Sequence, residues 1–178
     1  MRSQGTDAID WPAAIYDVLK TFQITQVSFV PDGGHASLIQ HVQADNGMRA
    51  VSLTTEEEGV ALGAGAWLGG HRSALLMQSS GVGNCINMLS LIKVCKFPFL
   101  ALTTMRGEWG EFNPWQVPMG SATQASLELM GVQVLRASEP GEVGDVVQAA
   151  ASMAFGGGVP MAVLLSQRLV GAKNFAEK

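Results

Sequence analysis

Six short runs rich in β-branched and apolar residues recur along this chain, and the segments between them carry apolar residues at helical spacing. The strand-like runs fall at residues 26–30, 49–53, 74–77, 97–103, 132–136 and 160–165, and the helices at 35–46, 56–68, 83–94, 121–130 and 140–155. Strands separated by helices are too far apart in sequence for hairpins and pair through crossovers. The alternation therefore predicts an α/β fold, a doubly wound, largely parallel six-stranded sheet with helices on both faces. Ligands of such sheets sit beyond the carboxyl ends of the strands. The segments placed there are 54–58, 78–84 and 105–120.

No linker, repeat or low-complexity stretch divides the 178 residues, so one domain spanning 1–178 is expected, with a core from about 10 to 170. Gly156-Gly157-Gly158 is a helix stop and turn. With 47% hydrophobic and 15% charged residues, the chain is expected to bury surface against another chain as well as a core of its own. A net charge of −4 and the lack of a basic run argue against nucleic acid as a partner. No apolar run approaches the roughly 20 residues that cross a bilayer. The first 20 residues, with Asp7, Asp10 and Asp17 among apolar side chains, do not read as a signal peptide. A cytoplasmic protein is expected. Cys85 and Cys95, ten positions apart on one expected helix, read as buried thiols in a reducing compartment, and no metal site is expected from them.

The stretch from Thr54 to Trp67 places Glu56, Glu57 and Glu58 at the start of a helix otherwise made of small apolar residues. Thr54 and Thr55 are good N-cap residues with acids three positions on, so a capping box is one reading. The other is that one of these carboxylates does chemistry. Gly63 and Gly65 lower the propensity of the helix, as suits a close approach by a backbone, a partner chain or a flat ligand.

After this helix come Ser73-Ala74-Leu75-Leu76-Met77, then Gln78-Ser79-Ser80-Gly81-Val82-Gly83-Asn84, then a second helix beginning near Cys85. The order resembles the pyrimidine-binding domain of thiamine diphosphate enzymes, in which a glutamate opens one helix and the next strand runs into a Ser-Gly-x-Gly-x-Asn-type turn. Setting Ala64 and Ala66-Trp67 on that family's helix-end pattern puts the family glutamate at Glu57, one residue from Glu56 and Glu58. The loop from Met105 to Gly120, with its Arg-Gly-Glu and Gln-Val-Pro-Met-Gly motifs, and Val30-Pro31-Asp32 are similar to the sulfopyruvate decarboxylase alpha subunit and phosphonopyruvate decarboxylase family. The likeness runs from about residue 10 to about 170.

The resemblance implies that Glu57 hydrogen-bonds the pyrimidine nitrogen N1′ of thiamine diphosphate and favours the imino tautomer that deprotonates the thiazolium. Gln78, Ser79, Ser80, Gly81 and Asn84 would form the wall against the ring. A plain strand-to-helix turn is the other reading of that segment. The family's Gly-Asp-Gly motif, which holds the diphosphate and Mg²⁺, is missing, and Gly144-Asp145-Val146 reads as a solvated acid in mid-helix. The implied assembly is a hetero-oligomer in which a separate beta subunit carries the diphosphate and Mg²⁺ half. The implied reaction is decarboxylation of a 2-oxo acid, sulfopyruvate to sulfoacetaldehyde and CO2. Phosphonopyruvate, an aryl 2-oxo acid, or a non-catalytic partner role are the alternatives.

Two further side chains are candidates. His35, after Pro31-Asp32-Gly33-Gly34, could donate a proton or bind an anion, or could simply open a helix; Asp32 reads as a turn or cap residue. Arg106 could bind a sulfonate or phosphonate through paired hydrogen bonds, or form an ion pair with Glu108 or Glu111. His41 and His71 read as surface residues without partners. Trp109, Phe112 and Trp115 in one short loop would pin it or meet a partner subunit.

Overall fold

The computed structural model describes residues 9–171; the remaining ends of the expected domain, 1–8 with Asp7 and 172–178, lie outside the described residues. Six strands form one all-parallel sheet: β1 (Ile24–Phe29), β2 (Arg49–Ser52), β3 (Arg72–Gln78), β4 (Leu100–Thr104), β5 (Gln133–Ala137) and β6 (Met161–Leu165), in the order β2-β1-β3-β4-β6-β5. The chain leaves β1 toward one edge and returns on its other side as β3, so a topological switch point lies between the carboxyl ends of β1 and β3. The expected doubly wound α/β fold is the observed one.

The two faces have separate cores. Helices α1 (Trp11–Thr21), α2 (Ala36–Ala44) and α7 (Val143–Gly157) bury Ile15, Leu19, Leu38, Val42 and Val147 against Val27, Leu76 and Val163. Helices α3 (Glu56–Leu68), α4 (Ser79–Cys85), α5 (Ser90–Cys95) and α6 (Gln116–Leu129) bury Val60, Val82, Leu89 and Leu127 against Leu75, Met77 and Leu164 on the other. Strands β4 and β6 are buried at every position; β6 is apolar throughout and β4 is apolar up to Thr103 and Thr104, as suits a sheet covered on both faces. A short α8 (Gln167–Val170) follows β6.

Several local expectations are corrected. Helix α1 was not among the expected helices, although Asp10 caps it by accepting Ala13 N–H at 3.1 Å and Pro12 sits in its first turn. The expected helix 83–94 is two, α4 starting immediately after β3 and α5 after a turn. Asp145 lies in the first turn of α7 and not mid-helix, preceded by a Glu139–Glu142 capping box. Gly59 shows why α3 begins as it does: a Cβ there would lie 2.3 Å from Leu75 Cδ1, so the helix reaches β3 because the position has no side chain. Gly63 makes a looser approach to Ser73, but nothing approaches Gly65. No helix among the described residues is long and apolar enough to cross a membrane.

Candidate functional site

The three glutamates that open α3 point in three directions, because neighbouring helical residues are turned roughly 100° apart. Glu56 faces inward and is 8% exposed; its Oε2 accepts a hydrogen bond from Asn84 Nδ2 at 2.8 Å. Gly81 makes that placement possible, since a Cβ there would lie 2.4 Å from the Glu56 carboxyl carbon. Glu57 is half-buried, with Thr55 Oγ1 donating to its Oε2 at 3.2 Å. Glu58 is exposed and accepts Thr54 N–H at 2.9 Å, which leaves it the capping task. Thr55 itself makes no side-chain cap. Beneath these carboxylates lies Cys85, whose thiol is pushed up to about 12 by burial first and then by the charges of Glu56 and Glu57. It is a neutral, inert thiol.

The segment 78–84 is the end of β3 and the first two turns of α4, so its residues have divided duties. Ser79 is fully buried and its Oγ accepts Arg106 N–H at 3.1 Å, tying α4 to the end of β4. Gly81 and Asn84 serve Glu56. Ser80 Oγ donates to Gln78 Oε1 at 2.9 Å, and Gln78 Nε2 donates to Asp32 Oδ1 at 3.1 Å. Thr104 Oγ1 donates to Asp32 Oδ2 at 2.6 Å. Asp32 holds the N-cap position of the short 3-10 turn Gly33–His35, as expected, but its side chain makes no cap bond: its carboxylate ties the ends of β1, β3 and β4 together across the switch point. A cavity of about 200 Å³ opens there, lined by Asp32, Gly34, Gln78, Thr104 and Arg106.

Two sequence-derived candidates take other places. His35 does not face the open edge. Its ring is 1% exposed, its Nε2 lies 3.1 Å from Leu102 O, and burial lowers its pKa, which keeps it neutral and away from proton donation. Arg106 is 7% exposed and its fork is occupied: Nε and Nη2 donate to Glu111 Oε2 and Oε1, both at 2.6 Å. This pair holds the Glu111 carboxyl down to about 2. Glu108 instead pairs with Arg136 at 2.7 Å and accepts Gln167 N–H at 2.8 Å. Gln167 in turn accepts from the backbone N–H groups of Glu108 and Trp109 and donates to Glu111, so a residue more than 50 positions away organises the loop.

Asp32, Thr104 and Gln167 were missed as site residues because their partners are distant in sequence and carry no spacing signal. Among the remaining expectations, Cys95 is exposed and on a separate helix from Cys85. His41 stacks on Tyr16 with ring centroids 5.5 Å apart, and His71 Nδ1 lies 3.2 Å from Thr25 Oγ1, so neither lacks a partner. Among the described residues, no three His, Cys, Asp or Glu side chains converge as a metal site.

Comparison with known proteins places this geometry. Residues 10–125 match the family described as thiamine pyrophosphate enzyme, N-terminal TPP binding domain. Over 153 residues the chain is 33% identical to the sulfopyruvate decarboxylase subunit alpha of Methanococcus maripaludis, covering 85% of this chain and 92% of that one. It is 36% identical over 135 residues to the subunit of the same description from Methanothermobacter thermautotrophicus, covering 75% and 82%. Against the phosphonopyruvate decarboxylase of Streptomyces viridochromogenes it is 38% identical over 112 residues, 62% of this chain but 28% of that one. A 2-oxoglutarate:ferredoxin oxidoreductase from Magnetococcus marinus shares the fold, with a TM-score of 0.68 over 90% of this chain and 29% of that chain, at 14% identity.

Proposed function

This chain belongs to the thiamine pyrophosphate enzymes through their N-terminal TPP binding domain, and we propose that it is the pyrimidine-holding subunit of a 2-oxo acid decarboxylase, with sulfopyruvate as its substrate. The observation that carries the reading is the division of labour among the glutamates. Glu56 fixes a floor with Gly81 and Asn84, while the carboxyl of Glu57 is left half-buried on the rim beyond the carboxyl ends of the strands.

These residues suit the cofactor's pyrimidine end. A flat aminopyrimidine needs a carboxyl within reach of a ring nitrogen, and Glu57 offers one. When bound, thiamine diphosphate supplies a carbanion at its thiazolium C2 and accepts the electron pair released as CO2 departs. Glu57 would hydrogen-bond N1′ and hold a proton there. Gln78 and Ser80, aligned by Asp32 and Thr104, form the polar side of the wall. Ser79 supports them from beneath. Arg106 lines the adjoining cavity with Nη1 uncommitted, and so offers an anionic substrate oxygen a single bond and not a paired one.

The diphosphate and Mg²⁺ are assigned to a beta subunit. The sequence has no Gly-Asp-Gly motif, and the relatives that match this chain over most of their length are described as alpha subunits. A cytoplasmic setting is proposed with it. The test is CO2 release from sulfopyruvate by the two subunits with thiamine diphosphate and Mg²⁺. Glu57→Gln is expected to lose at least about a hundredfold in kcat with fold and assembly intact. Ordinary turnover by that variant removes Glu57 from its role, and a stable complex inert toward sulfopyruvate but active on another 2-oxo acid overturns the substrate.

A further inference from the structure

We infer that the loop between β4 and α6 is the surface on which the subunit bearing the diphosphate half docks, with Trp109 and Trp115 as its anchors. This deepens the proposed function and rests on it. Trp109 is 51% exposed, Trp115 80% and Val117 42%, all within nine residues. Large apolar side chains scattered singly over a surface need no explanation, but aromatic ones gathered in one loop mark an interface.

The loop is also held rigid. Arg106 and Glu111 close its base with two 2.6 Å bonds, Gln167 Oε1 holds the Trp109 N–H at 3.1 Å, and Asn113 Oδ1 holds the Trp115 N–H at 3.1 Å. Docking therefore orders little that is not already ordered, which favours association. Every acid and base of the loop is neutralised within this chain, Arg106 by Glu111 and Glu108 by Arg136. What the loop offers outward is apolar surface with two indole N–H groups. The matching face is an uncharged, aromatic-accepting groove with hydrogen-bond acceptors at its rim.

Area and position both point to the diphosphate subunit. Two tryptophans at these exposures present about 300 Å², more than a third of the ~800 Å² that each partner contributes to a standard interface. Met119, in the first turn of α6 just after the loop, lies against Gly83 of α4, and α4 packs on α3, so the aromatic surface adjoins the rim that carries Glu57. A chain seated on it covers the half-site and completes it. Leu68, Val94 and Leu129, which are 88%, 78% and 86% exposed, end helices at the opposite, amino pole of the sheet and cannot take part.

The experiment measures association of the full chain with the Gly-Asp-Gly subunit by calorimetry and sedimentation. Trp115→Ala and Trp109→Ala/Trp115→Ala are compared with Leu129→Ala, and circular dichroism and thermal melts check the fold. Loss of an anchor tryptophan raises Kd about 30-fold or more, while Leu129→Ala leaves it unchanged. An unaltered Kd in the folded double variant overturns the docking surface and leaves the decarboxylase reading standing. Abolition of self-association by the same variants, with subunit binding intact, assigns the surface to a second copy of this chain and also overturns it. A complex that depends on the tryptophans but releases no CO2 from any 2-oxo acid keeps the surface and removes the activity.

Discussion

Replacing Glu111 by Gln tests whether the loop beside the half-site is held by the ion pair at its base. The Glu111 side chain is 3% exposed and accepts five hydrogen bonds: from Arg106 Nε and Nη2, from the backbone N–H groups of Gly107 and Asn113, and from Gln167 Nε2. A glutamine can keep its oxygen at the Oε2 position and with it three of those bonds. Its NH2 then faces Arg106 Nη2 and Asn113 N–H, donor against donor. Two bonds are lost, both of them to an ionised carboxylate, and the guanidinium stays buried without a counter-ion; the sum is about 3–5 kcal/mol. Because the pair anchors a loop and not the sheet, the variant stays folded and relieves part of that cost by opening the loop, so about 3 kcal/mol is expected in urea unfolding. Adding Arg106→Met removes the orphaned charge, and the cycle should return a coupling of about 2 kcal/mol. The pH dependence has a definite sign. A carboxyl held at about 2 against an ordinary 4.5 adds stability above pH 4.5 and loses it as pH falls toward 2. The difference between wild type and Glu111→Gln should narrow across that window. Equal stability of the two proteins at pH 7, or a difference indifferent to pH below 4.5, would refute the argument.

Two further outcomes follow from the packing. Gly81→Ala drives a Cβ to within 2.4 Å of the Glu56 carboxyl carbon, so Glu56 must swing out and release Asn84; urea unfolding should show a loss of about 1–3 kcal/mol, and an unaffected midpoint would deny the tight approach. A thiol reagent at pH 8 should label Cys95 quickly and Cys85 not until the chain is unfolded, giving one reactive thiol in the native state; two fast thiols would contradict the burial of Cys85 and the high value of about 12 for its pKa.

The fold was legible because a parallel sheet buried on both faces leaves short apolar runs at regular intervals, and β4 and β6 are such runs. Helix α1 carries its own signals, Asp10 before Pro12 and then Ile15, Val18 and Leu19 at helical spacing, but Asp10 and Asp17 interrupt the apolar pattern around them. The break between α4 and α5 has no such mark, since α4 is set against α3 by the Gly81–Glu56 approach, a tertiary constraint. The site divides in the same way. Glu57 and the segment from Gln78 to Asn84 are contiguous motifs and stand out in sequence as candidates. Asp32 with Thr104 spans 72 positions and Gln167 with Glu111 spans 56, pairings that exist once β1, β3, β4 and β6 are aligned in one sheet. His35 misled because a loop position at the carboxyl edge does not say which way a ring turns, and here it turns into the sheet toward Leu102 O.

Three consecutive glutamates at a helix start look redundant, and a slip of one residue in placing the functional one looks harmless. The helix makes it consequential. A carboxyl turned inward meets Gly81 and Asn84, and its contacts are met within the chain; Glu56 is in that position, and removing it disturbs a floor. A carboxyl turned back toward the helix start meets the Thr54 amide and completes a cap; Glu58 does this and would be replaceable at the cost of about 1 kcal/mol. Glu57 lies between them, held by one 3.2 Å bond from Thr55 and half open to the rim. The proposed function asks this of the carboxyl that would meet the cofactor: placed by its neighbours, with one face open to a ligand.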